Sequence, residues 1–515
     1  MTYRILVVRL GSLGDVVLTS AAVLNLKLAY PDSHLVFLTK ERFAPVAHLL
    51  TGVDEVVALP DESSTRQFVE TLRQLDRRNF DLVVDLHGNF RSYLMRKLVA
   101  AGNTVSYPKR RLSRWLTTKH LQVVDDPPHT IDLYNSALER AGIRTYAKRP
   151  IIHHQNLAAL STELSRLPNP VVIAPGAAHA TKQWPIGKFL EVARGLIERH
   201  HAHILWTAVS SDQLSDDARR SLGTNCTELV DLPIEQLAPV LAHAKVVISN
   251  DSGLMHLASA VGTPVLAIFG PTHPSLGFSP RGLHDQIIQV DEYCRPCSLH
   301  GKTPCFRKQQ FCFTRIEPEM VLSASGELLS RPLQKAILFD RDGTLIADKH
   351  YLSDPDQVEL LSGTIEAMRA AKMAGYRLVV ISNQSGVARG YFSIDAVEAV
   401  NRRFEQLLAK AGVKLDGTHF CPHYPGGSVS EFAVSCECRK PHPGMAEQAA
   451  LELRLNLHKS LVIGDKLDDL NLGFVTGSKP ILVRTGHGRE TEQSGRFSDL
   501  YSKVEVLDSI REMLQ

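Results

Sequence analysis

The sequence predicts an α/β protein made of three successive parallel-sheet domains. Through residues 4 to about 155, short apolar runs (5–10, 35–38 and 82–86) alternate with amphipathic helical stretches. The alternation restarts at 171–174 and continues through 203–207, 246–249 and 264–269. A third set of runs, 335–340, 377–382 and 461–464, ends each time in acidic or small polar residues. The expected limits are 1–160, 165–325 and 335–515, with a hinge at 153–170 and a linker at 323–334. A length of 515 residues accommodates this plan.

Composition narrows the function classes. Hydrophobic residues make up 44% and charged residues 22%, the profile of a globular protein with an ample core. A net charge of +3 is too small to support nucleic-acid binding. No apolar run reaches the length of a membrane span. Arg9 and Asp15 interrupt the apolar stretch near the N-terminus, and no small-residue cleavage site follows, so no secretory signal is expected. The expected location is cytoplasmic, where cysteines bind metal or stay reduced more often than they pair.

The chemistry is densest in the third domain. Its first strand delivers Asp340 and Asp342, two residues apart, in Asp340-Arg-Asp-Gly-Thr344. One carboxylate can attack phosphorus and form an acyl phosphate while the other protonates the leaving oxygen. The next strand ends in Ser382-Asn383-Gln384, small groups suited to phosphate oxygens, and Lys440 adds a cation. The last ends in Asp465, followed by Asp468 and Asp469. Hard oxygen ligands of this kind suit Mg²⁺. Between these motifs, Cys421-Pro-His423 and Cys436-Glu-Cys438 are separated by twelve residues. Three sulfurs and an imidazole are a complete tetrahedral set for a structural Zn²⁺, which would fold the intervening loop.

In order and identity these motifs resemble the haloacid-dehalogenase-like phosphatases, in the subgroup with a zinc loop. Gly427-Ser-Val-Ser-Glu-Phe432 and Pro441-His-Pro-Gly-Met445 resemble the heptose 1,7-bisphosphate 7-phosphatases more than the histidinol-phosphate phosphatases. The resemblance implies Asp340 as nucleophile and Asp342 as general acid/base. It implies Mg²⁺ on Asp340, Asp465 and the backbone carbonyl of Asp342, with Ser382, Asn383 and Lys440 on the transferring phosphoryl group. Arg439 is assigned to the second phosphate, which a guanidinium fork matches.

The first two domains carry a quieter set of motifs. Arg9-Leu-Gly-Ser-Leu-Gly-Asp15 is a glycine-bearing strand-to-helix turn, where a ligand can approach the backbone. Its aspartate would repel a phosphate, so the turn is not read as the nucleotide site. Spacing alone leaves Asp15 open between a helix N-terminal charge and a catalytic role. Lys182-Gln-Trp-Pro185, Asp251-Ser252-Gly253-Leu-Met-His256 and Gly270-Pro-Thr-His-Pro274 follow strands of the second domain. Lys182, the amides at Ser252 and Gly253, and His256 form a plausible diphosphate cradle.

Together these motifs resemble the glycosyltransferase family that contains the lipopolysaccharide heptosyltransferases. That resemblance implies two Rossmann-like domains of the GT-B type, an inverting reaction in the cleft between them, and ADP-heptose as donor. It makes Asp15 the base toward the acceptor hydroxyl, with Lys182 on the diphosphate and Asp251, Ser252, Gly253 and His256 on the nucleotide. The acid expected for the ribose is represented only by Asp212. Cys294-x2-Cys297-x7-Cys305-x6-Cys312 has the count of a metal site, and zinc, an iron–sulfur group, reduced thiols and a disulfide pair all stay open. The run Lys109-Arg-Arg111, Arg114 and Lys119, with Trp115 among them, reads either as a solvated basic face or as a surface for an anionic lipid acceptor.

The resulting expectation is a bifunctional enzyme of lipopolysaccharide heptose metabolism, cytoplasmic and peripheral at the inner face of the membrane where it meets its lipopolysaccharide core acceptor. The alternative is a histidinol-phosphate or other sugar phosphatase fused to a nucleotide-sugar-binding module without transferase activity.

Overall fold

The computed structural model describes residues 2–122, 126–208, 214–494, 497 and 499–513. The chain divides into two compact units, one of Met1–Leu26 with Ser33–Pro332 and the other of Lys27–Asp32 with Leu333–Gln515. The first unit holds two parallel sheets and the second holds one.

The first sheet contains β1 (Arg4–Val8), β2 (His34–Lys40), β3 (Glu55–Leu59), β4 (Phe80–Asp85) and β5 (Ala101–Ser106), in the order β3-β2-β1-β4-β5. The second contains β6 (Pro170–Ala174), β7 (His203–Ala208), β8 (Cys226–Val230), β9 (Val246–Asn250), β10 (Val265–Ile268) and β11 (Gln286–Ile288), in the order β11-β10-β9-β6-β7-β8. The third contains β12 (Ala336–Phe339), β13 (Arg377–Asn383), β14 (Gly417–Cys421), β15 (Leu461–Gly464), β16 (Lys479–Val483) and β17 (Glu505–Leu507), in the order β14-β13-β12-β15-β16-β17. Every pairing between these strands is parallel.

Parallel strands covered on both faces bury every residue, which is why the inner strands read as unbroken apolar runs. Residues 170–174 and 336–339 are buried throughout. In the second sheet the core centres on Trp184, Phe189 and Trp206, stacked edge to face at 5.0 and 6.5 Å. In the third it centres on Phe339, Met368 and Phe404. Each sheet reverses its winding direction once: between β1 and β4, between β6 and β9, and between β12 and β15. The crevice beyond the carboxyl ends at such a reversal is where open α/β sheets bind ligands.

Three local features add to this plan. The strand-to-helix turn at 9–15 leads into two helices, Leu13–Leu18 and Ser20–Ala29, interrupted at Thr19. Thr19 hydrogen-bonds back to the carbonyl of Val16 at 2.6 Å, competing with the helical ladder. The 323–334 segment is mostly helix, Pro318–Ser330, because Val321, Leu322 and Leu328 bury in the second sheet's core. Gly14 is also a point of close packing. A Cβ there would lie 2.5 Å from His256 Cδ2, and one at Gly253 would meet Leu13 at 2.9 Å. These glycines let the helices Leu13–Leu18 and Gly253–Ala260 meet end to end.

Gly14→Ala should therefore overpack this junction and cost about 1–3 kcal/mol. All three tryptophans lie in the first unit. Denaturant unfolding followed by tryptophan fluorescence should show an earlier transition, and an unchanged midpoint would contradict the close packing.

Candidate functional sites

At the carboxyl end of β12, Asp340 is buried against Lys440, whose Nζ lies 2.5 Å from Asp340 Oδ1 and 2.6 Å from Asp469 Oδ1. The ammonium also donates to the Ile381 carbonyl at 2.9 Å. One carboxylate oxygen from each of Asp340, Asp465 and Asp469 lies within 4.8 Å of the others. Three buried carboxylates face one buried ammonium here, an excess of two negative charges that a divalent cation would neutralise. Asp465 Oδ2 accepts the His487 backbone N–H at 2.8 Å, while Oδ1 is buried with no hydrogen-bond partner. An orphaned buried carboxylate oxygen beside two more carboxylates fits Mg²⁺. Gly343 and Gly486, both at positive φ, let the backbone close on Asp465, since a Cβ on either would sit within 2.4 Å of its Oδ2.

Burial pushes the Asp340 carboxyl upward; Lys440 opposes the shift, and Asp469 and Asp465 reinforce it. Burial followed by Asp469 raises Asp465 as well. Burial alone would discharge Lys440, but Asp340 and Asp469 hold its ammonium above the usual lysine range. Both partners of the pair shift upward because the lysine gains two carboxylates while each carboxylate keeps two like neighbours.

The other residues singled out in this unit divide. Asp342 accepts from Arg341 at 2.9–3.1 Å and from Gln384 Nε2 at 2.8 Å, with Ser382 Oγ at 3.5 Å. Asn383 is turned toward the Lys440 backbone, accepting its N–H at 3.0 Å and donating to its carbonyl at 3.2 Å. Its side chain thus holds the lysine in place. Arg439 donates to the His423 carbonyl at 3.3 Å and lies 5.3 Å from the Tyr424 ring centre, where Arg389 stacks at 4.2 Å. Asp469 was noted in the sequence among the carboxylates after the strand but given no role of its own.

Cys421, His423, Cys436 and Cys438 come together with all ligand atoms within 4.8 Å. Sulfur–sulfur separations of 3.1, 3.2 and 3.5 Å are too long for a disulfide. They are slightly shorter than the edge of about 3.8 Å expected around one ion with zinc–sulfur bonds of about 2.3 Å. The four could hold Zn²⁺.

In the first unit, a cleft of about 870 Å³ is lined by Asp15, Lys182, Asp251, Ser252, Gly253 and His256. Arg9 reaches Asp15 Oδ2 at 2.5 Å, and the Ser12 amide and hydroxyl donate to the same oxygen at 3.0 Å. Burial would raise the Asp15 carboxyl, but Arg9 and Ser12 hold it below the usual carboxylate range. Lys182 Nζ is 2.6 Å from Asp251 Oδ2, which also accepts from Thr272 at 2.7 Å. Ser252 makes no capping bond; its hydroxyl turns to Ser249 at 3.1 Å, leaving the amide end of the Gly253–Ala260 helix uncapped by a side chain. Burial pushes His256 down to about 4, and its buried Nδ1 has no hydrogen-bond partner. Asp212 lies outside the described residues; Asp231, which follows β8 and was not singled out, lines the same cleft.

The four cysteines of the 294–312 cluster line one small cavity with Arg307 and Phe311. They carry no disulfide, and no three of their sulfurs come within 4.8 Å of one another. The basic run also divides: Arg114 is buried, donating to Thr130 at 3.1 Å and stacking on Phe278 at 4.3 Å, whereas Trp115 is half exposed.

A family model described as glycosyltransferase family 9 (heptosyltransferase) matches residues 69–304, and one described as HAD-hydrolase-like matches 437–513. The D-glycero-beta-D-manno-heptose-1,7-bisphosphate 7-phosphatase of Yersinia pestis is 44% identical over 153 residues, 29% of this chain and 81% of the relative. Through its second unit the chain belongs to this phosphatase family. The corresponding protein of Pasteurella multocida is 41% identical over 182 residues, 35% of this chain and 95% of the relative. A glycosyltransferase family 9 structure from Veillonella parvula superposes with a TM-score of 0.51 at 21% identity, covering 64% of this chain and 97% of its own, a likeness of fold. The chain thus joins a glycosyltransferase family 9 domain to a member of the heptose bisphosphate phosphatase family. No helix among the described residues is long and apolar enough to cross a membrane.

The raised carboxyls set a pH dependence. A carboxyl whose folded value is raised stabilises the fold fully below its unfolded value, and that contribution is lost as pH climbs through the raised value. Chelated protein should lose stability in the second unit between about pH 4 and about pH 8, and Mg²⁺ should restore an increasing share as pH rises. Scanning calorimetry with and without Mg²⁺ measures this gap; a gap independent of pH would contradict the carboxylate cluster as the binding site.

Proposed function

We propose that the chain is a bifunctional enzyme of heptose metabolism. The second unit hydrolyses the 7-phosphate of D-glycero-D-manno-heptose 1,7-bisphosphate, and the first transfers heptose from ADP-heptose to the lipopolysaccharide inner core. The observation that carries the phosphatase assignment is Asp340, clamped by Lys440 among Asp465 and Asp469 in a unit 44% identical to a named phosphatase of that substrate. The same match favours the heptose substrate over histidinol phosphate.

Asp340 attacks phosphorus, the bond to the sugar oxygen breaks, and Asp342 delivers the proton to that oxygen. Water then attacks the aspartyl phosphate, with Asp342 taking its proton and inorganic phosphate leaving. Lys440 and Ser382 hold the phosphoryl oxygens, Asn383 fixes Lys440, and Arg439 takes the sugar's other phosphate. Mg²⁺ would be held by Asp340, Asp465, the Asp342 carbonyl and Asp469, and supplies charge neutralisation for the phosphoryl group. Zn²⁺ on Cys421, His423, Cys436 and Cys438 would fix the loop that carries Arg439.

In the first unit Asp15 is ionised at neutral pH, and its contacts converge on Oδ2, which reserves Oδ1 for the acceptor hydroxyl proton. On donor binding Lys182 exchanges Asp251 for the diphosphate, and the amides at Ser252 and Gly253 share its charge. His256 and Asp251 contact the nucleotide side of the donor. The acceptor brings the protein to the membrane surface from the cytoplasm.

Purified full chain should process both heptose bisphosphate and ADP-heptose with a core acceptor. Asp340→Asn should abolish only phosphate release, and Asp15→Ala should slow only heptosyl transfer, by roughly 10²-fold or more. Loss of donor affinity with near-normal transfer in Asp15→Ala would remove it as the base, and inactivity of the native chain toward both substrates would refute the assignment.

A further inference from the structure

We infer that Asp348, His350 and His487 form a three-ligand site for one divalent transition-metal ion, separate from the carboxylate cluster and from the cysteine-histidine loop. One ligand atom from each of the three lies within 4.8 Å of the others. The set of two imidazoles and one carboxylate suits a borderline ion such as Zn²⁺ or Co²⁺, whereas Mg²⁺ prefers the all-oxygen group nearby. Three protein ligands leave a further position open for water or an oxygen of a bound molecule.

The orientation of the groups suits a shared cation. His487 Nδ1 lies 3.0 Å from Glu490 Oε2, and its Nε2 faces Asp348 Oδ2 at 3.4 Å. With its proton toward Glu490, the ring turns the Nε2 lone pair toward that Asp348 carboxylate oxygen, the arrangement in which the two share a bound cation. Orienting a ligating imidazole through a carboxylate on its other nitrogen is the usual outer-shell arrangement of metal sites. The separation also fits: two ligand atoms about 2.05 Å from a tetrahedral ion stand about 3.3 Å apart.

Asp348 is prepared in the same way. Its Oδ1 accepts the His350 backbone N–H at 2.9 Å, which leaves Oδ2 toward the imidazoles. Lys466 Nζ stands 3.7 Å from Oδ2 and 3.9 Å from Asp465 Oδ1, beyond hydrogen-bond distance of either. His350 and Tyr351 both adopt positive φ, 50° and 65°. Side chains seldom occupy that region, and here the turn brings an exposed imidazole to the other two ligands. An ion at this position would sit beside the phosphatase carboxylates, because the His487 backbone N–H is bonded to Asp465.

The test uses full-length protein stripped by chelation, saturated with Mg²⁺ and then dialysed against Zn²⁺, with bound zinc counted by mass spectrometry. The His350→Ala/His487→Ala double variant should bind one equivalent less than the native chain, while Asp340→Asn should keep that equivalent. Equal zinc content in the double variant and the native chain would overturn the site. So would loss of the same equivalent in Asp340→Asn, which would assign the ion to the carboxylate cluster. Should the double variant fail to fold, histidine modification of the native chain by diethylpyrocarbonate decides. Zn²⁺ should protect both His350 and His487 together, and protection of neither would refute their ligation.

Discussion

The second unit is organised around one buried ammonium. Lys440 bridges Asp340 at the end of β12 and Asp469 on the helix Leu467–Thr476 after β15, the two strands that flank the reversal of the sheet. Without it, buried carboxylates would face one another across a dry crevice, at a cost of several kcal/mol per ion. With it, two negative charges among Asp340, Asp465 and Asp469 are still uncompensated, an excess that fits a divalent cation. The lysine is itself fixed by Asn383, which grips its backbone on both sides, and by the loop that begins at the cysteine-histidine set. The candidate nucleophile, the candidate cation site and the loop are therefore one mechanical assembly.

The first unit solves a related problem with different parts. Its cleft collects Asp15 from the end of β1 and Lys182 and Asp251 from the ends of β6 and β9, again at strand reversals. Each charged group is already paired: Asp15 with Arg9, and Lys182 with Asp251. Pairing offsets the cost of burying these charges and holds the lysine where an anionic ligand can displace its partner. The end-to-end approach of the helices Leu13–Leu18 and Gly253–Ala260, allowed by Gly14 and Gly253, brings the candidate base beside the candidate anion site.

Much of this was legible in the sequence because strand ends advertise themselves. A buried parallel strand is an unbroken apolar run, so the polar residue that ends it is conspicuous, as with Asp340, Asp251 and Asp465. The cysteine-histidine set was legible because soft ligands at short spacing have few other uses. What escaped depended on packing between distant elements. Asp469 lay in plain view but took its meaning from Lys440, and Asn383 turned its side chain to the lysine backbone. Gly14 serves helix contact as well, and the 323–334 segment became helix because Leu322 and Leu328 had a core to enter. The pairing of Asp348 with His350 and His487 joins positions over a hundred residues apart and left no local pattern.

The central claim is that Asp340, clamped by Lys440, is the atom-transferring group of the second unit. Borohydride trapping tests it most directly, since reduction of an aspartyl phosphate converts that aspartate to homoserine. Turnover of heptose 1,7-bisphosphate quenched into borohydride should yield homoserine at position 340 and at no other aspartate, as read by peptide mass spectrometry. Homoserine at Asp342, Asp465 or Asp469, or phosphate release with no trapped residue, would contradict it.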